Sequence, residues 1–133
     1  MGRKLNINGT MRVLDEETFG PDETRTSNFA ESLALNNNQL ETIVEETLGA
    51  GGEVRGELEI RAQLASQNRI RVWVDTRLYE GTSEGTSDLD GEKSFNFLVL
   101  PGQTINKVYT VYNEAENCDD FVKVRFTCKN LQA

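Results

Sequence analysis

Carboxylates set close together along the chain are the residues here with chemistry to offer. The stretch EGTSEGTSDLDGEK, residues 80–93, carries Asp88 and Asp90 two positions apart, followed by Gly91, which allows a sharp bend. Asp15 and Glu17 repeat that spacing near the N-terminus, and Asp119 and Asp120 are adjacent near the C-terminus. Such groups suit a hard divalent cation, since calcium takes about six to eight oxygen ligands at about 2.3–2.6 Å, several of them carboxylates. The arrangement is not an EF-hand: DLDGE lacks a third acid before the glycine and a bidentate glutamate at the end of the loop. The plain alternative is a set of solvated turns, because Asp-Gly pairs also favour chain reversal.

Other chemistries are narrowed by what is missing. The 133 residues contain no histidine, which removes Ser-His-Asp and Cys-His machinery, imidazole metal ligands and the usual neutral-pH proton shuttle. No P-loop, dinucleotide fingerprint or nucleophile elbow is present. Paired carboxylates can hydrolyse glycosides, but here they crowd turns rather than a groove with aromatic platforms. No catalytic activity is expected. The net charge of −8 opposes sequence-independent binding to nucleic acid and electrostatic adsorption to anionic lipid, and favours cations as ligands. The N-terminal stretch MGRKLNINGT has no apolar signal core, and no run is long enough to span a bilayer. Cys118 and Cys128 flank an extended segment too long for a disulfide, so two free thiols are expected. A soluble protein of a reducing, cytoplasmic compartment fits these features.

The elements that must position the acids have a period of two. LNINGTMRV puts Leu5, Ile7, Gly9, Met11 and Val13 on one face, and VRGELEIRAQL alternates Leu58, Ile60, Ala62 and Leu64 with charged residues. Half-buried strands of antiparallel sheets read this way. Eight strands are expected, at about 4–14, 27–35, 39–48, 53–65, 69–80, 94–100, 104–113 and 120–129. The segment 39–48 also fits a short helix, through Leu40, Ile43, Val44, Thr47 and Leu48, but its β-branched residues favour a strand. Cross-strand charge favours a register with Arg61 opposite Asp75 and Glu59 opposite Arg77, around a Gln67-Asn68-Arg69 loop. The whole chain, residues 1–133, then forms one all-β domain: an eight-stranded antiparallel sandwich in the jelly-roll or Greek-key range.

Strand parity gathers the acids. If each strand runs antiparallel to the one before it, connections one, three, five and seven emerge at one end. Connections one, five and seven hold 14 of the 22 acids, and the even loops NNN, SQN and PGQ hold none. With VLDEETFGPDE, DLDG and NCDD at that end, the chain resembles the C2-type calcium-binding sandwiches, which have eight antiparallel strands and gather calcium from aspartates in loops at one end. The resemblance implies a calcium-responsive binding module. The expected metal ligands are Asp15, Glu17, Asp88, Asp90, Asp119 and Asp120.

Two further surfaces are open to partners. Trp73 and Tyr79, flanked by Arg71 and Arg77 on an outward strand face, can stack on a carbohydrate or cover a protein partner. Local cation–π packing of the tryptophan by those arginines is the simpler expectation. Phe19 and Leu89 sit where loop tips could dock on a membrane, although plugs folded back on the core are favoured for both.

Overall fold

The computed structural model describes residues 2–17, 20–113 and 120–133. Each period-two segment forms a strand: β1 (Arg3–Asp15), β2 (Glu23–Leu35), β3 (Glu41–Ala50), β4 (Val54–Leu64), β5 (Ile70–Glu80), β6 (Leu89–Val99), β7 (Thr104–Tyr112) and β8 (Phe121–Gln132). They form two four-stranded antiparallel sheets, ordered β2-β1-β8-β7 and β3-β4-β5-β6. The chain crosses between the sheets twice, from β2 to β3 and from β6 to β7.

The alternation decides which faces meet. Leu5, Ile7, Met11 and Val13 of β1 and Val122, Val124, Phe126 and Cys128 of β8 turn inward against Val54, Leu58, Ile60, Val72, Val74 and Leu78 of the other sheet. Burying a side chain of this size contributes about 1.5–3 kcal/mol each, which makes this interlayer the principal source of stability. Glycine at 56 keeps the layers close, because a Cβ there would lie 2.7–2.9 Å from side-chain carbons of Met11, Val122 and Val13. A buried polar pair bridges the interior, Thr76 Oγ1 and Tyr109 Oη at 2.6 Å. Burial pushes the Tyr109 hydroxyl well above its ordinary pKa, so it stays neutral.

The segment expected at 39–48 is strand from Glu41 to Ala50, with a bulge. The register shifts between Thr42 and Val44, leaving Ile43 as an extra residue. That insertion places Ile43 and Val44 on neighbouring positions against the core, which is why the apolar spacing resembles a helix. Two strands start earlier than expected. β2 begins at Glu23 because it pairs with β1 along its whole length, from Arg3 opposite Leu35 to Asp15 opposite Glu23. β6 begins at Leu89, so Asp90 and Glu92 belong to a strand and not to a turn.

The expected register of β4 on β5 is overturned. Arg61 faces Trp73, Glu59 faces Asp75 and Glu57 faces Arg77, a shift of two residues. A shift of two keeps every side chain on its face, so burial is indifferent and the turn decides. The reversal is a 3₁₀ turn at Ser66–Asn68, with Gln67 and Asn68 in the left-handed region. Ala65 N–H donates to the Arg69 carbonyl at 2.7 Å, and the Arg69 guanidinium donates to Ser66 O at 2.9 Å and Ser66 Oγ at 2.7 Å. The opposed acids are neutralised along their own strands, Glu59 by Arg61 at 3.3 Å and Asp75 by Arg77 at 3.0 Å.

Asn130 closes that end of the sandwich. Fully buried, it donates from Nδ2 to Asn68 O at 2.8 Å and Val99 O at 2.9 Å, and accepts from Arg3 Nε at 2.9 Å. Among the described residues, no helix is long and apolar enough to cross a membrane.

Candidate functional site

The acidic end is assembled by the pairing of the chain's first and last strands. β1 and β8 are neighbours with Leu14 opposite Phe121, which sets Asp15, the last residue of β1, beside Asp120, just before β8. Both are buried, each only 1% exposed. Asp120 Oδ1 accepts from the Glu16 N–H at 2.7 Å, and the Glu17 N–H is held by Asp22 Oδ1 at 3.0 Å. The opposite sheet contributes the β3–β4 turn. There Gly51, at φ 64°, fits against Asp15 so closely that a Cβ would collide with Asp15 Oδ2.

Asp15 is electrostatically uncomfortable. Its Oδ2 is buried and accepts no hydrogen bond. Burial, then the charges of Glu17 and Asp120, and then Glu53, push its carboxyl up to about 7. Only as the protonated acid can it share a hydrogen bond with Glu17. The ordinary carboxyl value of 3.8 is thus moved into the neutral range by burial first and by the neighbouring carboxylates second.

Connections one, three and five meet at this pole, as parity requires. Gly52 N–H donates to Glu84 Oε2 at 2.8 Å, Gly81 N–H to Glu53 O at 3.1 Å, and Arg55 Nη1 to Glu84 O at 2.5 Å. Connection seven departs from and returns to the same place. The buried Asn113 donates through its side chain to Glu80 and through its N–H to Asp120 O at 3.1 Å.

The expected ligands divide into two groups. Asp15, Glu17 and Asp120 come together, whereas Asp88 and Asp90 lie on the β5–β6 side and are not among the charges acting on Asp15. Asp88 is exposed; its N–H donates to Thr86 Oγ1 at 3.2 Å and its carbonyl accepts from Glu80 N–H at 3.1 Å. Asp90 occupies a bulge, the extra residue between Leu89 opposite Tyr79 and Gly91 opposite Leu78. Gly91 makes no sharp bend: it is buried in β6, where a Cβ would strike Tyr112 O. Asp119, Cys118 and Phe19 lie outside the described residues. Two participants escaped the sequence reading, Glu53 and Asn113. Parity alone points to Glu53, because the connection between β3 and β4, residues 51–53, is an odd one.

The tryptophan face also departs from expectation. Arg71 donates to Asn96 Oδ1 at 2.6 Å and Arg77 pairs with Asp75 and Glu92, so neither packs on Trp73. The arginine–aromatic stack on this face is Arg55 over Tyr79 at 4.3 Å. Trp73 instead lines an open depression of about 200 Å³ with Arg61, Asp75, Ser94 and Asn96. Leu89 is no plug, being 44% exposed. Cys128 is a buried free thiol pushed up to about 12 by burial, hence unreactive.

Among the described residues, no group of three or more Asp, Glu, Cys or His side chains is arranged to hold a metal ion as the chain stands. No protein-family model matches the chain, and no curated protein is significantly similar to it.

Proposed function

We propose that this protein is a non-catalytic β-sandwich binding module whose acidic pole takes a hard divalent cation, calcium, with Asp15, Glu17 and Asp120 as the central ligands. The observation that supports it is the Asp15 carboxylate: 1% exposed, with one oxygen that accepts no hydrogen bond from the described residues and with other carboxylates as its neighbours. A buried carboxylate normally has compensating donors or a counter-charge, and a cation supplies both at once. Calcium fits better than magnesium, because it accepts irregular ligand numbers and longer distances.

Among the described residues, no three carboxylates already surround one point. Binding therefore has to draw the β1–β2 connection inward, and this movement would make the module calcium-responsive in the manner of the C2-type sandwiches. Asp88 and Asp119, from flanking connections, and Asp90, at the start of β6, complete the candidate set. Thermal unfolding at pH 7.5 in calcium and in chelator tests the reading. Calcium raises the melting temperature of the wild type and leaves Asp15→Asn unmoved. The paired substitution Asp88→Asn with Asp90→Asn separates a shared site from one confined to the β1–β8 corner. A wild-type melting curve indifferent to millimolar calcium sinks the proposal.

The depression beside Trp73 favours a second reading, a metal-free protein- or carbohydrate-binding face on β4, β5 and β6. An aromatic wall with arginine, aspartate, serine and asparagine around it offers stacking and hydrogen bonds together. Under that reading Trp73→Ala weakens partner binding, leaves folding intact, and calcium has no effect.

A further inference from the structure

The two outer faces of the sandwich differ in how they treat charge. On the β3-β4-β5-β6 sheet three of the four strand arginines are paired with carboxylates, Arg55 with Glu57 at 3.0 Å, Arg61 with Glu59 at 3.3 Å, and Arg77 with Asp75 at 3.0 Å and Glu92 at 3.7 Å, while Arg71 donates to Asn96. The outward positions of the other sheet follow from its register, and those of β1 and β8 carry Lys4, Arg12, Lys123, Arg125 and Lys129. No outward position of its four strands is a carboxylate. In a chain of net charge −8, one whole sheet face is cationic.

Within that face three cations converge. Arg12 of β1 stands directly opposite Lys123 of β8, and Thr10 opposite Arg125, one row along. Thr26 of β2 completes the Arg12 row on the other side. These five residues line a depression of about 170 Å³. Among the described residues, none of the three cations has an ion-pair partner, and Arg12 makes only a distant contact with the Phe121 ring, at 6.0 Å. Like charges directly opposite across a ladder are destabilising. Among the described residues no acid stands on this face, while three of the four strand arginines of the opposite sheet are paired with carboxylates.

We propose that Arg12, Lys123 and Arg125, with the hydroxyls of Thr10 and Thr26, form a binding pocket for a tetrahedral oxyanion, the phosphate or sulfate group of a small molecule. Guanidinium groups fork onto two oxygens of such a group, the ammonium supplies a point charge, and threonine hydroxyls donate to the remaining oxygens. A polyanion or an anionic membrane would extend beyond the sheet face to the acidic pole and meet the repulsion of a strongly negative protein. A small ester stays within reach of the triad, where local charge dominates over a Debye length of about 8 Å.

The test is a titration of the isotope-labelled protein with inorganic phosphate, and separately with sulfate, at fixed ionic strength against chloride, followed by amide chemical shifts. The pocket predicts saturable shifts at Thr10, Thr26 and Lys123, and at least tenfold weaker binding in the double variant Lys123→Gln with Arg125→Gln. These positions face outward, so the double variant folds and melts no lower than wild type. Should it not fold, Arg12→Gln alone provides the comparison. Shifts that grow linearly and equally with chloride overturn the proposal, as does saturable binding unchanged by the substitutions. A parallel arm uses phosphatidylserine vesicles at matched phosphate concentration. Capture by vesicles without any response to inorganic phosphate or sulfate refutes a small-molecule site.

Discussion

Asp15→Asn should stabilise the metal-free protein. The substitution keeps the shape of the side chain and removes its charge. Moving the carboxyl from 3.8 to about 7 corresponds to about 4 kcal/mol of folding free energy withheld once the group is ionised. Glu17 and Asp120 share that repulsion and the β1–β2 connection can relax, so a gain of about 2–4 kcal/mol is expected above pH 7. The direction with pH follows from where the proton resides. Below 3.8 the carboxyl is protonated in folded and unfolded chains alike and costs nothing. Between 3.8 and about 7 the folded chain keeps a proton that the unfolded chain releases, so this group's contribution to stability declines as pH rises. Above about 7 the decline is complete. Urea and thermal unfolding of both proteins in chelator, from pH 3.5 to 8.5, isolates the effect as a difference, because all other carboxylates are common to both. The curves should coincide near the acid end and separate progressively, with the variant melting higher by about 3–5 °C for each kcal/mol. In calcium the order narrows or reverses, because only the wild type has a ligand at this position. A variant less stable than wild type at pH 8 in chelator, or a difference independent of pH, would refute the reasoning, since either outcome means that the Asp15 charge is compensated in the fold.

Three further outcomes follow from the interior. Asn130→Ala removes three side-chain hydrogen bonds and strands the buried Val99 carbonyl; urea unfolding should show a loss of about 2–4 kcal/mol, and a loss below about 1 kcal/mol means water has replaced the amide. Tyr109→Phe leaves the Thr76 hydroxyl fully buried without its partner and should cost about 1–3 kcal/mol, most of it recovered when Thr76→Val is added, a coupling that a double-mutant cycle measures directly. Cys128, with its thiol pushed up to about 12, should resist alkylation in the native protein and react only on unfolding; peptide mapping after iodoacetamide treatment distinguishes the two.

Much of this architecture is written into local alternation. Sidedness at Leu5, Ile7, Met11 and Val13, or at Leu58, Ile60 and Ala62, needs only a strand and an interior, so eight strands and two sheets are legible without coordinates. Parity along an antiparallel chain then puts odd connections at one pole, and Gly52, Glu53, Gly81 and Glu84 meet there. The alternation of β1 even carries Asp15 inward behind Met11 and Val13. Three things depended on contacts between distant parts of the chain. The β4–β5 register follows the Ser66–Asn68 turn and its tie to Asn130, because a two-residue shift leaves the apolar pattern unchanged and offers periodicity nothing to choose with. The isolation of Asp15 requires Asp120, Gly51 and Glu53 around it, brought there by β8 and by the facing sheet. The unpaired cations become a pocket only when Arg12 meets Lys123 across more than a hundred residues. Sequence fixes the direction each side chain takes from its own strand; which charge stands across from it is settled only when the sheets close.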